Sequence, residues 1–215
     1  MYTGVYNTDN HNLRILILGE SHHYETPSTQ KTVDGYLEKC RKDGHAEGCH
    51  HFFEQIVRAF GKIPETEREE FWCNVRFGNY IDEICGVGDS QATDLLAKEE
   101  NRIRYNDDLF DFVAAKGIDI IFCFSRRVYN NLPSFASGEK EETINVGDFL
   151  RTKDGKPKKD YISYCKYLPG SHEHTSKPLK RTVEVYGMLH PSGQYGFAPE
   201  NYAPELEKHF RECVN

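Results

Sequence analysis

A short, mostly apolar run that ends in a cluster of reactive side chains constrains the fold of this chain more than any other feature. Residues 13–18 predict a strand buried on both faces, as in a parallel sheet. Gly19 follows, where backbone can approach a ligand closely. Ligands of open α/β sheets bind beyond the carboxyl ends of the strands. The four residues after the glycine are therefore predicted to line a site: Glu20, Ser21, His22 and His23.

The remaining apolar patterns predict an α/β fold. Three further strands are expected, at 75–80, 118–124 and 182–189. Helical spacing or composition predicts helices between and after them, at 33–42, 50–60, 64–70, 101–116, 126–132 and 203–214. This alternation is typical of a three-layer sandwich with a mainly parallel central sheet of about four strands.

Residues 134–180 are expected to be the least regular part of a single domain that spans 1–215. They are rich in Gly, Ser and Lys, and a hairpin or loops are expected around 161–168. Between 151 and 181 there are nine Lys or Arg against three Asp or Glu, a balance of +6, although the whole chain has a formal net charge of −7. This basic insertion predicts a local surface for an anionic partner.

Composition and the amino-terminal residues predict where the protein resides. The sequence contains no run of about 18 apolar residues, so no membrane span is expected. The first residues are polar and include no apolar segment typical of a secretory signal. The chain has seven cysteines, an odd and scattered set. These features predict a reduced, cytoplasmic protein, with no membrane partner.

Two further polar segments follow predicted strands. Asn79 lies in Phe-Gly-Asn-Tyr at 77–80, and His190 begins His-Pro-Ser-Gly at 190–193. A glutamate can position or deprotonate water, an asparagine amide can read the edge of a base, and a histidine can stabilise a developing anion. If the strands are neighbours, Glu20, Asn79 and His190 are predicted to face one cleft.

The order of these motifs resembles that of the uracil-DNA glycosylase superfamily. The resemblance rests on Gly19-Glu20 after a buried strand, on residues 77–81, on the run 118–124 followed by 125–132, and on His190-Pro191-Ser192. It implies that Glu20 positions the attacking water and that His190 stabilises the departing base. It also implies that Asn79 reads the base and that Ser192 contacts a DNA phosphate.

The resemblance implies hydrolysis of the N-glycosidic bond of uracil or another modified base in DNA, without a cofactor or metal. The partner is then DNA, single- or double-stranded, with a flipped base. Substrate contacts are expected from Gly19 and residues 20–23, and DNA contacts from four consecutive residues: Ser192, Gly193, Gln194 and Tyr195. Tyr24 and Tyr36 are the candidates for the base-stacking aromatic. The family's first motif usually continues with proline, whereas this chain continues with Ser21, His22 and His23.

Three alternatives remain open, and the third uses other residues. Ser21 as nucleophile with His190 as base resembles the SGNH/GDSL serine hydrolases, although Gly187 stands where they have an aspartate. A relative that binds nucleic acid without cleaving it is the second. A structural zinc site is the third, for which two clusters are candidates: Cys40, His45, Cys49, His50 and His51, or His172, Glu173 and His174.

Overall fold

A computed structural model of the protein describes residues 14–21, 29–43, 51–85, 89–133, 142–151, 157–191 and 196–214. Six strands form one mixed sheet: β1 (Ile15–Gly19), β2 (Arg76–Asn79), β3 (Ile120–Cys123), β4 (Glu142–Arg151), β5 (Pro157–Tyr167) and β6 (Val183–Gly187). The helices are α1 (Thr29–Asp43), α2 (His51–Ala59), α3 (Arg68–Cys73), α4 (Asp89–Ala97), α5 (Glu99–Lys116), α6 (Arg126–Tyr129) and α7 (Pro199–Val214). A 3₁₀ turn at Glu65–Glu67 precedes α3.

The four strands expected from the sequence form the parallel part of the six-stranded sheet. The strand order is β2-β1-β3-β6-β5-β4, and the first four are mutually parallel. Their carboxyl ends are level with one another, since Leu18 pairs with Gly78 and Cys123, and Cys123 pairs with Gly187. The α/β class is therefore confirmed, and one edge of the sheet collects the ends of all four strands.

The expected sheet of about four strands is too small. The segment predicted to be irregular forms the hairpin β4–β5, which adds two antiparallel strands through the pairing of β5 with β6. The exposed residues of β4 at 142, 143 and 145 explain why its sequence resembles a loop. An edge strand needs only one partner and tolerates polar side chains, so the usual apolar signal of a buried strand is weak there.

Helices cover both faces of the sheet. One core cluster contains Ile15, Ile17 and Phe122 from the sheet together with buried residues of α1, α2, α3 and α7. The other contains Leu16, Leu18 and Val185 with buried residues of α4, α5 and α6. Alternate residues of each buried strand thus face opposite helical layers, which is why the strands are apolar without interruption.

None of the helices in the described ranges is both long enough and apolar enough to cross a membrane.

Candidate functional site at the carboxyl edge of the sheet

The end of β1 lies at the point where the chain connections diverge. β2 and β3 flank β1, and the helices that lead from β1 to β2 and from β2 to β3 cover opposite faces. Such a switch point opens a crevice beyond the carboxyl ends of the strands. The backbone stays ordered there, because Tyr80 N donates to Gly19 O (3.0 Å) and Ile81 N donates to Glu20 O (2.9 Å). Glu20 is therefore the first residue beyond the strand, on a fixed backbone.

The carboxylate of Glu20 is buried and has two partners. The residue is 8% exposed. Ser125 Oγ donates to Glu20 Oε2 at 2.6 Å, and Arg127 Nη1 lies 3.7 Å from Glu20 Oε1. Ser125 also caps α6, where its Oγ accepts from Val128 N at 3.2 Å. A buried carboxylate needs hydrogen-bonding and charged partners, and Ser125 and Arg127 supply them.

Asn79 lies against Gly19, its register partner on the neighbouring strand. A Cβ added to Gly19 would be 2.3 Å from Asn79 Oδ1 and 3.3 Å from Phe77 Cζ. Only glycine at position 19 lets the Asn79 amide lie over the end of β1. The close approach predicted at this glycine is thus made by a side chain of the protein itself.

His190 lies three residues beyond β6 and is half-buried. Its ring packs on Phe52 of α2, with centroids 5.2 Å apart, and Phe52 contacts Phe77 of β2 at 6.2 Å. Asn79 and His190 therefore share the α2 side of the edge, while Glu20 points to the α6 side. Only β3 separates β1 from β6, a spacing of about 10 Å between those two strands.

Ser21, the nucleophile of the esterase alternative, is buried beside Cys85. Its Oγ makes no hydrogen bond of normal geometry within the described part of the chain. Burial raises the pKa of the Cys85 thiol, and Glu20 raises it further, against the opposing effects of Ser21 and Arg127. Both groups are buried, and the Ser21 hydroxyl thus lies beside a thiol.

The other predicted site residues divide into two groups. His22, His23, Tyr24 and the segment 192–195, which includes Ser192, Gly193, Gln194 and Tyr195, lie outside the described residues. Tyr36 lies in the core: it is fully buried, its ring contacts Phe53 and Trp72, and its hydroxyl donates to Glu54 at 3.1 Å. Tyr36 is thus a packing residue of α1.

A second buried polar cluster lies at the same edge, and sequence reasoning missed it. Asp160 is fully buried, accepts from Arg126 Nη2 at 2.9 Å and accepts from the Tyr202 hydroxyl. The Arg126 guanidinium also lies 3.7 Å from the centre of the Tyr161 ring. Because β5 runs antiparallel to β6, its first residues lie beyond the end of β6. This cluster therefore packs beside the segment that carries His190.

The segment directly after β3 is the main functional feature that the sequence did not reveal. Ser125 and Arg127 contact Glu20, and Arg126 between them contacts Asp160. A serine before a short helix does predict a helix cap. The second partner of Ser125 is Glu20, which lies 105 positions away in sequence. A local sequence pattern carries no information about such a contact.

Neither zinc alternative gains support. No group of three metal-binding side chains occurs among the residues that the structure describes. His172 packs between Phe110 and Tyr167, and its Nε2 hydrogen-bonds Leu168 O at 3.0 Å. Of the first cluster, Cys40 is a buried thiol beside Arg68, while 44–50 lie outside the described residues.

Fold and site together define a three-layer α/β protein with a buried glutamate at the switch point of its sheet. No protein-family model matches the chain, and a search of the curated proteins found no match.

Proposed function

We propose that this protein is a DNA glycosylase-like hydrolase, similar to the uracil-DNA glycosylase superfamily. It would cleave the N-glycosidic bond of uracil or another modified base. The observation that carries the proposal is the buried, partnered carboxylate of Glu20 directly beyond β1, with Asn79 on the adjacent strand end. A serine hydrolase would instead require an activated Ser21, whose hydroxyl lies beside a thiol of raised pKa.

The chemistry assigns one task to each group. Water attacks the sugar carbon, the carbon–nitrogen bond breaks, and its electron pair leaves with the base. The water proton passes to the Glu20 carboxylate, which acts as general base. His190 donates a hydrogen bond to the oxygen of the departing base, and the Asn79 amide recognises the edge of the base.

The β4–β5 hairpin supports DNA as the partner. Ser163 pairs with Gly187 at the end of β6, and the hairpin continues for six residues to Pro157, about 20 Å past the edge of the parallel strands. Lys158 and Lys159 belong to this projecting part. Other basic residues of the segment are engaged elsewhere, as Lys166 pairs with Glu184 and Lys177 with Asp111.

Base release from defined oligonucleotides tests the proposal. Single- and double-stranded DNA carrying uracil, hypoxanthine or xanthine is incubated with the protein, and abasic sites are cleaved with alkali. We expect release by the wild type, and a loss of about 100-fold or more in Glu20→Gln and in His190→Ala. Glu69→Gln, which alters an exposed carboxylate on α3, should retain full activity.

Two results would replace the proposal with an alternative. Covalent labelling of Ser21 by a fluorophosphonate, without any base release, would indicate the serine hydrolase. Tight binding of DNA without base release, unchanged in Glu20→Gln, would indicate a nucleic-acid-binding protein that performs no cleavage.

A further inference from the structure

We propose that the two oxygens of Glu20 have different roles, and that Ser125 is the positioning residue that sets them apart. Ser125 holds Oε2, so that Oε1, which faces Arg127, is the oxygen that receives the proton of the attacking water. This inference rests on the proposed glycosylase function and gives a role to Ser125, to which the sequence motifs assign none.

The direction of the Ser125 hydroxyl proton follows from its two contacts. A serine hydroxyl has one proton to donate. Ser125 Oγ accepts from Val128 N at 3.2 Å and lies 2.6 Å from Glu20 Oε2. Since a carboxylate can only accept, the proton points to Oε2. Ser125 is itself 1% exposed, so water does not compete for this bond.

The other oxygen is in a different environment. Arg127 Nη1 lies 3.7 Å from Oε1, close enough for an ion pair but beyond a normal hydrogen bond. The same Nη1 donates to Thr93 Oγ1 at 2.9 Å, which fixes the guanidinium on α4. Oε1 therefore receives no direct hydrogen bond from Arg127 and keeps its capacity to accept one from a water beside it.

The contacts make Ser125 a positioning residue, since it reaches the reacting water only through Glu20. The step balances without a further reactant. Water adds to the sugar carbon, the base leaves with the bonding electron pair, and Oε1 takes the proton. Without the Ser125 hydrogen bond the carboxylate could turn about its Cγ–Cδ bond and carry Oε1 away from the water. A misplacement of about 1 Å of a catalytic group can cost about 100-fold in rate.

Two substitutions separate this role from the cap of α6. Ser125→Gly removes the donor to Glu20, yet glycine is tolerated almost as well as serine at an N-cap. Ser125→Thr keeps both the hydroxyl and the cap. We expect kcat of base release to fall about 100-fold in Ser125→Gly with KM unchanged, and to stay within about threefold of wild type in Ser125→Thr. Ser125→Thr should melt close to the wild type, whereas Ser125→Gly should melt lower, because it leaves Glu20 Oε2 buried without its donor. The value of kcat is therefore measured well below the melting temperature of each protein.

The possible outcomes distinguish a failure of this inference from a failure of the proposed function on which it rests. An active wild type whose kcat is retained in Ser125→Gly overturns the role of Ser125 and leaves the proposed function standing. A rise in KM with constant kcat, or a loss in Ser125→Thr equal to that in Ser125→Gly, also overturns it. A wild type that releases no base from any of the substrates refutes the proposed function, and the inference with it.

Discussion

At the scale of single residues, Gly19 decides whether Asn79 can occupy the site. A methyl group at position 19 would overlap Asn79 Oδ1 at 2.3 Å. The overlap is with a side chain that can turn away, so Asn79 should be displaced rather than the strand broken. The Asn79 amide would then leave the position in which we propose that it recognises a base, while the sheet remained intact.

Gly19→Ala is therefore expected to destabilise the protein by about 1–3 kcal/mol, the usual cost of overpacking. Urea denaturation measures this change. In an Asn79→Ala background the obstructing amide is gone, and the same substitution should cost clearly less. Equal destabilisation in both backgrounds would show that Asn79 is not what excludes a side chain at position 19.

At the scale of elements, Asp107 is one of the residues that attach the segment after β5 to α5. Asp107 of α5 accepts from Thr175 Oγ1 at 2.6 Å and from Ser176 N at 2.7 Å. Burial alone would raise the pKa of Asp107, but the hydrogen bonds from Ser176 and Thr175, together with nearby Lys177, outweigh it and lower that pKa. The folded state thus favours the ionised form of Asp107.

The pH dependence of Asp107→Asn tests this attachment. A carboxyl group whose pKa is lower in the folded state stabilises the protein above its unfolded pKa of about 3.9, and this stability is lost as pH falls through the folded value. Asp107→Asn should cost about 1–2 kcal/mol at neutral pH. The difference from wild type, measured by urea denaturation, should shrink as pH falls below the unfolded value and close once pH is below the lowered pKa of the folded state.

A matched control removes a neighbouring carboxylate on the same helix. Asp111 pairs with Lys177 through side chains that are 60% and 43% exposed, so Asp111→Asn should cost less than about 1 kcal/mol. A cost of Asp107→Asn that persists undiminished at low pH would contradict the attachment through an ionised carboxylate.

The helices and strands also differ in how well each could be predicted from the sequence. β1 and β3 were predictable because both their faces are buried, which demands an unbroken apolar run. The helix α4 was not predicted, since few of its positions are apolar and only Ala92 and Leu96 are buried hydrophobics. The hairpin was underestimated because its outer strand is polar. Helices and strands at the periphery of the fold therefore have the weakest pattern of apolar residues in their sequence.

The candidate site was predictable in part for a related reason. Glu20 and His190 follow strands, so their place at the carboxyl edge follows from parallel pairing. Which side of the edge each faces depends on where the strand ends and on the pleat. The partners of Glu20 come from a segment 105 residues away, and only the folded chain brings them together.

For the whole molecule, the distribution of charge predicts how the proposed binding of DNA would respond to salt. Each phosphate contact contributes about 0.9 to the slope of log K against log salt on duplex DNA. Neutralising Lys158 and Lys159 to glutamine, on the projecting hairpin, should therefore reduce the slope by about 1.8.

The matched control neutralises Lys166 and Lys177, which pair with Glu184 and Asp111. Both double variants make the net charge of −7 more negative by two. Fluorescence anisotropy titrations at several salt concentrations give the slopes. If the control reduces the slope as much as the hairpin variant does, overall charge and not the hairpin governs binding. An unchanged slope in the control, with a reduced slope in the hairpin variant, assigns the phosphate contacts to the end of the hairpin. The hairpin extends from the edge of the sheet at which Glu20, Asn79 and His190 lie.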